Sequence, residues 1–264
     1  MFELVIIISF VFMWALVESY FCKLKYDEKS FKSLPNSFDG IKIGFISDIH
    51  VDSTIDFMIF KKRVKRLINQ NCNIIFLGGD YSDSQYWQER VLKYFLNFKV
   101  ELGIFAVKGN HDLICGDSVI QNAKDSNINL LVNQSAIIEK DGDIINIIGS
   151  EDYYSKDYDI KKVMPKNKRY FTILLAHNPR ITKDMQNLGL DNLVDITLSG
   201  HTHGGQVTLF GLYSPLAQRM LPVYSSQWIK NGDNLVLYSN GAGDWIPIRF
   251  FAVPQIHVIK LNKQ

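Results

Sequence analysis

Four short motifs hold five of the chain's six histidines. They are Asp48-Ile49-His50, Gly109-Asn110-His111-Asp112, Ala176-His177 and Gly200-His201-Thr202-His203, and a fifth motif, Gly79-Asp80, adds a carboxylate. Imidazole nitrogen and carboxylate oxygen are donors that first-row transition metals take. A nitrogen and oxygen set without sulfur suits Mn²⁺ first, with Fe or Zn²⁺ as alternatives, and suits Ca²⁺ or Mg²⁺ less well. Asp80 has two oxygens and can bridge two cations, and Asn110 offers a neutral carbonyl oxygen. The residue types therefore point to a site for two divalent metal ions. His257 stands apart and is expected to be structural.

The spacing adds geometry. Asp48 and His50 are two residues apart, as are His201 and His203. On extended backbone such pairs project to the same side. Gly79, Gly109 and Gly200 precede donors, where a missing side chain lets the chain turn sharply beside a metal or phosphate.

Periodicity indicates the elements that would carry these groups. Residues 41–46, 73–77 and 103–107 read as strands, and residues 56–70 and 85–98 as helices. This β-α-β-α-β alternation predicts an α/β sheet. Three motifs begin where the three strands end, the place where open α/β sheets collect ligands. Further on, apolar runs at 129–139 and 143–149 flank Asp141-Gly142, a hairpin signal. Residues 171–176 read as a strand leading to His177, 179–188 as a helix, and 194–198 as a strand leading to Gly200. Segments 207–210, 235–239 and 256–261 read as further strands.

The chain is long enough, at 264 residues, for one large domain. A net charge of +2 gives no reason to expect a nucleic-acid partner. Lys61, Lys62, Arg63, Lys65 and Arg66 crowd one helix, read either as a solvated face or as a patch for anionic lipid or phosphate. Cys22, Cys72 and Cys115 have no paired spacing, so neither a disulfide framework nor a thiolate site follows. The N-terminal residues are apolar with Glu18 and Ser19 near the end of the run, which is expected to be a transmembrane helix over residues 1–22. Glu3 stands where an export signal would carry a basic residue. Residues 23–40 read as a polar linker and 41–264 as the catalytic domain. Lys23, Lys25, Lys29 and Lys32 after the apolar run place that domain in the cytoplasm by the positive-inside rule, with the outer face as the alternative. Residues 209–229 are rich in aromatic and aliphatic side chains with Arg219 as their sole charge, read as packing or as an apolar surface for the bilayer.

Taken in order, the five motifs resemble those of the calcineurin-like metallophosphoesterases, and the resemblance runs from Ile41 to Leu261. The run Leu198-Ser199-Gly200-His201-Thr202-His203-Gly204-Gly205-Gln206, with Gly241, Gly243, Pro247, Arg249 and Pro254, is similar to a subgroup of bacterial membrane-associated or exported phosphoesterases. The resemblance implies a four-layer α-β-β-α sandwich of two sheets. It implies one metal on Asp48, His50, Asp80 and His203, and a second on Asp80, Asn110, His177 and His201, with Asp80 shared. His111 would be the histidine that acts on the scissile phosphate, oriented by Asp112, with Asp83 as a further acidic neighbour or a helix cap. Two adjacent cations neutralise an anionic phosphodiester and activate water for in-line attack. The Arg-Gly of protein serine/threonine phosphatases is missing after Asp80, which argues against a phosphoprotein substrate. One lipid A pyrophosphatase of the superfamily carries Arg where this chain has His111, while another of the same pathway retains the histidine. The expected activity is hydrolysis of a phosphodiester or pyrophosphate, possible substrates including lipid-linked ones such as UDP-2,3-diacylglucosamine. The alternatives are a water-soluble nucleotide or cell-envelope polymer as substrate, and a non-catalytic scaffold on the same fold.

Overall fold

A computed structural model describes residues 2–208, 214 and 227–264. Helix α1 (Phe2–Tyr20) leads into β1 (Lys23–Phe31). Then β2 (Lys42–Ile46), α2 (Thr54–Ile68), β3 (Ile74–Leu77), α3 (Gln85–Tyr94), β4 (Ile104–Ala106), α4 (Ser118–Asp125) and β5 (Asn129–Leu130) build the first half. The second half comprises β6 (Gln134–Lys140), β7 (Asp143–Gly149), α5 (Ile160–Val163), β8 (Phe171–Leu175), α6 (Ile181–Asn187), β9 (Ile196–Ser199), β10 (Gln227–Asn231) and β11 (Asn234–Tyr238). The final strand, β12 (Gln255–Lys263), crosses back to the first half.

Among the described residues these strands form two sheets, ordered β1-β12-β2-β3-β4-β5 and β10-β11-β9-β8-β7-β6. Strands β2 to β5 run parallel, as do β7, β8 and β9. Their side chains alternate between two apolar layers, as the two-residue strand period requires. Ile74 and Phe76 enter the core between the sheets, while Ile75 and Leu77 face α2 and α3. Ile173 and Leu175 enter the same central core, while Leu174 packs with Ile181 and Met185 of α6. The result is the α-β-β-α sandwich, with each full burial of a Phe, Leu or Ile contributing about 1.5–3 kcal/mol.

The hairpin at Asp141-Gly142 forms as expected. Both residues adopt positive φ, 50° and 84°, and Lys140 pairs with Asp143. Other expectations need correction. Half of the expected linker is a strand: Lys23–Phe31 pair in parallel with all of β12, from Lys23 opposite Gln255 to Phe31 opposite Lys263. Their polar composition suits an edge strand, where charge protects the open side. The run 129–139 divides into β5 in one sheet and β6 in the other. Of the expected strand 207–210, Val207 makes an isolated bridge to Phe250, and 209–210 lie outside the described residues. Most of the apolar stretch 209–229 lies outside them too, and its end, from Gln227, belongs to β10.

Helix α1 is the one described helix long and apolar enough to cross a membrane, about 28 Å at 1.5 Å per residue. Its first thirteen described residues project from the domain, exposed throughout, whereas Ala15, Glu18 and Ser19 are buried against it. Glu18 accepts hydrogen bonds from Trp14 Nε1 (3.1 Å) and from the Ala252 amide (3.0 Å). Arg63 of α2 donates to the Ser19 carbonyl (2.9 Å) and to that of Ala242. Arg66 donates to the Cys22 carbonyl (2.7 Å). The carbonyls at a helix C-terminus need donors and favour positive charge, and these guanidinium groups supply both. Arg63 is thus a buried tie and not part of a solvated basic face.

Candidate metal centre

The loops after β2, β3, β4, β8 and β9 meet at one end of the two sheets and bring Asp48, His50, Asp80, His177, His201 and His203 together, with Asn110 on the same cavity wall as Asp80 and His201. Their backbone is not extended. Asp48, His50, Asp80, His201 and His203 have φ of 51°, 45°, 56°, 70° and 49°. The pairs spaced by two therefore converge through left-handed turns, not through the pleat of a strand. Left-handed backbone costs a residue with a side chain roughly 1–2 kcal/mol. A dense set of amide bonds holds it in place: Asp48 N–H to Gly79 O (2.9 Å), Ile49 N–H to Asp80 O (2.7 Å) and His201 N–H to Asp48 Oδ1 (2.7 Å).

Two donor groups result, Asp48, His50 and His203 in one, and Asp80, His177 and His201 in the other. Asp80 Oδ2 lies 3.5 Å from His50 Nε2 and 3.1 Å from His177 Nε2, between the two groups. His50 Nε2 and His203 Nε2 face each other at 3.2 Å. Asp48 Oδ2 and Asn110 Oδ1 are buried without a hydrogen-bond partner, and the buried His177 Nε2 faces the Asp80 carboxylate. Buried polar atoms are rarely left so, and a cluster of them aimed at one space suits cations. His177 donates from Nδ1 to the Gly78 carbonyl (2.7 Å), which turns Nε2 inward. The glycines make room: a Cβ at Gly109 would fall 2.1 Å from Asp80 Oδ1, and one at Gly200 2.2 Å from Asp48 Oδ2.

Burial drives His50 down to about 4 and His201 to about 3, so both rings are neutral donors at physiological pH. His203 is also pushed far down, by burial and then by the nearby Arg249. Burial favours the uncharged forms of His177 and Asp80 too, but their mutual attraction outweighs it, raising His177 and lowering Asp80. Ligation needs a neutral imidazole, so a metal bound there would compete with protonation of His177.

The surrounding residues differ from expectation in one respect. Asp112 does not orient His111. Its carboxylate accepts from the amides of Asp80 (2.7 Å), Gly109 (2.8 Å) and Tyr81 (3.0 Å), and so clamps two motif loops together. Asp83 instead pairs with His111 Nδ1 at 2.6 Å, while Ser84 stands at the cap of α3. His50, Asp83 and His111 also lie close enough for a cation, but the direct His111–Asp83 contact reads as an orienting pair. Arg249 belongs to the closing stretch that carries the subgroup resemblance, but spacing assigned it no role. Its wholly buried guanidinium donates to His203 O (2.5 Å), lies 3.0 Å from His203 Nδ1 and pairs with Asp244. It fixes the ring with Nε2 toward Asp48 and His50. Asp80, Asn110, His111, His201 and His203 line a cavity of about 350 Å³, shared with Trp245 and Ile246. The Trp245 ring is 6.2 Å from that of His111.

Comparison with known proteins bears on this arrangement. The family described as calcineurin-like phosphoesterase matches residues 41–205. An uncharacterized metallophosphoesterase of Helicobacter pylori (strain ATCC 700392 / 26695) is 33% identical over 232 residues, 84% of this chain and 60% of its own length. The chain thus spans about 60% of the length of this relative. The UDP-2,3-diacylglucosamine pyrophosphatase LpxG of Chlamydia trachomatis is 25% identical, covering 86% of each chain. A transmembrane protein with metallophosphoesterase domain of Danio rerio is 28% identical, over 88% of this chain and 55% of its own.

Proposed function

Because the chain belongs to the calcineurin-like phosphoesterase family, we propose that it is a membrane-anchored hydrolase of a phosphodiester or pyrophosphate that works with two divalent metal ions. The observation that carries this reading is Asp80 Oδ2, placed between two donor groups beside the His111–Asp83 pair. Asp48, His50, Asp80 and His203 would hold one metal, and Asp80, Asn110, His177 and His201 the other. When bound, the metals supply positive charge to the phosphate and a water of lowered pKa. The protein's own groups do the rest. Asp83 accepts from His111 Nδ1 and keeps the ring oriented, leaving Nε2 to protonate the departing oxygen. Asp112 clamps the loops, and Arg249 holds His203.

A lipid-linked substrate is favoured by α1 and by the likeness to LpxG, whose name specifies a diacylated sugar nucleotide. Mn²⁺ is the proposed metal, on the nitrogen and oxygen donor set. The lysines of β1, Lys23, Lys25 and Lys29, favour a cytoplasmic catalytic domain. The test is to assay UDP-2,3-diacylglucosamine, a glycerophosphodiester and bis-p-nitrophenyl phosphate side by side, with Mn²⁺ and after chelation. Metal-dependent turnover that favours the first is expected. Turnover unaffected by complete metal removal would refute the dinuclear reading, and a preference for soluble diesters would refute the lipid one.

A further inference from the structure

The segment 244–252 touches both α1 and the candidate metal centre. Its Arg249 amide donates to the Ala15 carbonyl of α1 (2.9 Å), and its Arg249 side chain bonds His203. The Ala252 amide donates to Glu18. Trp245 and Ile246 of the same segment line the metal cavity, yet are 60% and 43% exposed. A second cavity, of about 170 Å³, runs between Ser19 and Tyr20 at the end of α1, Ile59 of α2, and His50 and Trp245 beside the candidate metal centre. The helix end, the segment and the cavity mouth therefore adjoin one another.

Depth follows from that adjacency. The exposed part of α1 is apolar and ends where Ala15, Glu18 and Ser19 enter the domain. If α1 crosses a bilayer, its last turn lies at the lipid–water boundary, and whatever it packs against lies there too. Tryptophan favours that depth. Helix α2 brings a matching face: Ile55 and Met58 are 63% and 52% exposed, and Lys62, one turn on, is exposed as well. These positions share one side of the helix with Ile59, which meets the α1 end. Apolar side chains with a basic residue behind them suit an interface of acyl chains and anionic headgroups.

We propose that segment 244–252 and the Ile55–Met58–Lys62 face of α2 seat on the lipid bilayer beside α1, so that the metal cavity opens at the membrane surface and receives an amphiphilic phosphoester from the leaflet. The receiving role rests on the hydrolase reading above; the seating does not. The test uses the full chain reconstituted in phosphatidylcholine–phosphatidylglycerol vesicles, with and without bromine on the acyl chains near the headgroups. Subtracting the fluorescence of a Trp245→Phe variant isolates Trp245 from the other tryptophans. Its emission should fall roughly twofold or more in brominated vesicles, as for interfacial tryptophan. An Ile137→Trp probe at an exposed position on β6, an edge strand of the second sheet, should be unaffected. Unchanged Trp245 emission, or equal quenching at position 137, overturns the proposal. An Ile55→Ser, Met58→Ser variant should lower the rate on a vesicle-borne phosphodiester relative to soluble bis-p-nitrophenyl phosphate by about tenfold; an unchanged ratio overturns delivery from the leaflet. Quenching without any metal-dependent hydrolysis would instead refute the hydrolase reading and leave the seating intact.

Discussion

His111 is the one motif histidine whose ring is bonded to a carboxylate outside the two donor groups, Asp83, at 2.6 Å. Its predicted role is proton transfer, so His111→Ala should keep its metals and lose about 10²–10⁴-fold in kcat. Asp83→Asn should keep them too, but lower kcat by a smaller factor and alter the pH–rate profile, because the amide cannot stabilise an imidazolium. Elemental analysis beside steady-state kinetics checks both, and wild-type turnover in His111→Ala would refute the assignment. Gly109 makes a different prediction. A methyl there would meet Asp80 Oδ1 at 2.1 Å, so Gly109→Ala should lose bound metal rather than proton transfer. At this scale the donors were legible because imidazole and carboxylate in short motifs have few other uses. Asp112 was misread and Asp83 left undecided, because a chain position does not reveal which carboxylate folds toward the ring and which toward backbone amides.

Among the elements, α1 and α2 make the most informative junction. Arg63 serves the carbonyls of Ser19 and Ala242 while buried, and burial lowers its pKa without a facing carboxylate in hydrogen-bond contact. Arg63→Met should strand those carbonyls and destabilise the protein by roughly 2–4 kcal/mol. The thermal midpoint should drop by several degrees, and α1 should become more open to proteolysis near Tyr20. An unchanged midpoint would show that the junction contributes little. The elements themselves were unequally readable. Asp141-Gly142 declared its hairpin, since few other residue pairs tolerate two consecutive left-handed conformations. Strand β1 escaped notice because an edge strand carries charge on its open side and so resembles a linker. Its partner lies at the other end of the chain, beyond the reach of local pattern.

For the molecule as a whole, acid stability offers a test that leaves the metals aside. His257 is fully buried on β12, with Nε2 3.2 Å from Ser239 Oγ, and burial lowers it from 6.5 to about 3. Between those values the unfolded chain takes up a proton that the folded chain excludes. Stability is therefore full above about 6.5 and declines as pH falls toward about 3, by up to roughly 4 kcal/mol from this group. Comparing chemical denaturation of metal-loaded wild type and His257→Gln across that range isolates the effect; parallel curves would refute it. His257 also shows where sequence reading and folding part. Strand period indicated an α/β sheet, and residue types a two-metal donor set and a structural sixth histidine, because alternation and donor chemistry are local properties; the two-sheet sandwich was implied by the motifs' resemblance to a known family. Tertiary structure alone decided that the paired donors converge through left-handed turns, that Asp83 serves His111, and that Arg249 joins His203 to the end of α1. Those relations depend on contacts between residues up to 234 positions apart, as between Glu18 and Ala252, and only the packed sheets bring such residues within hydrogen-bond reach.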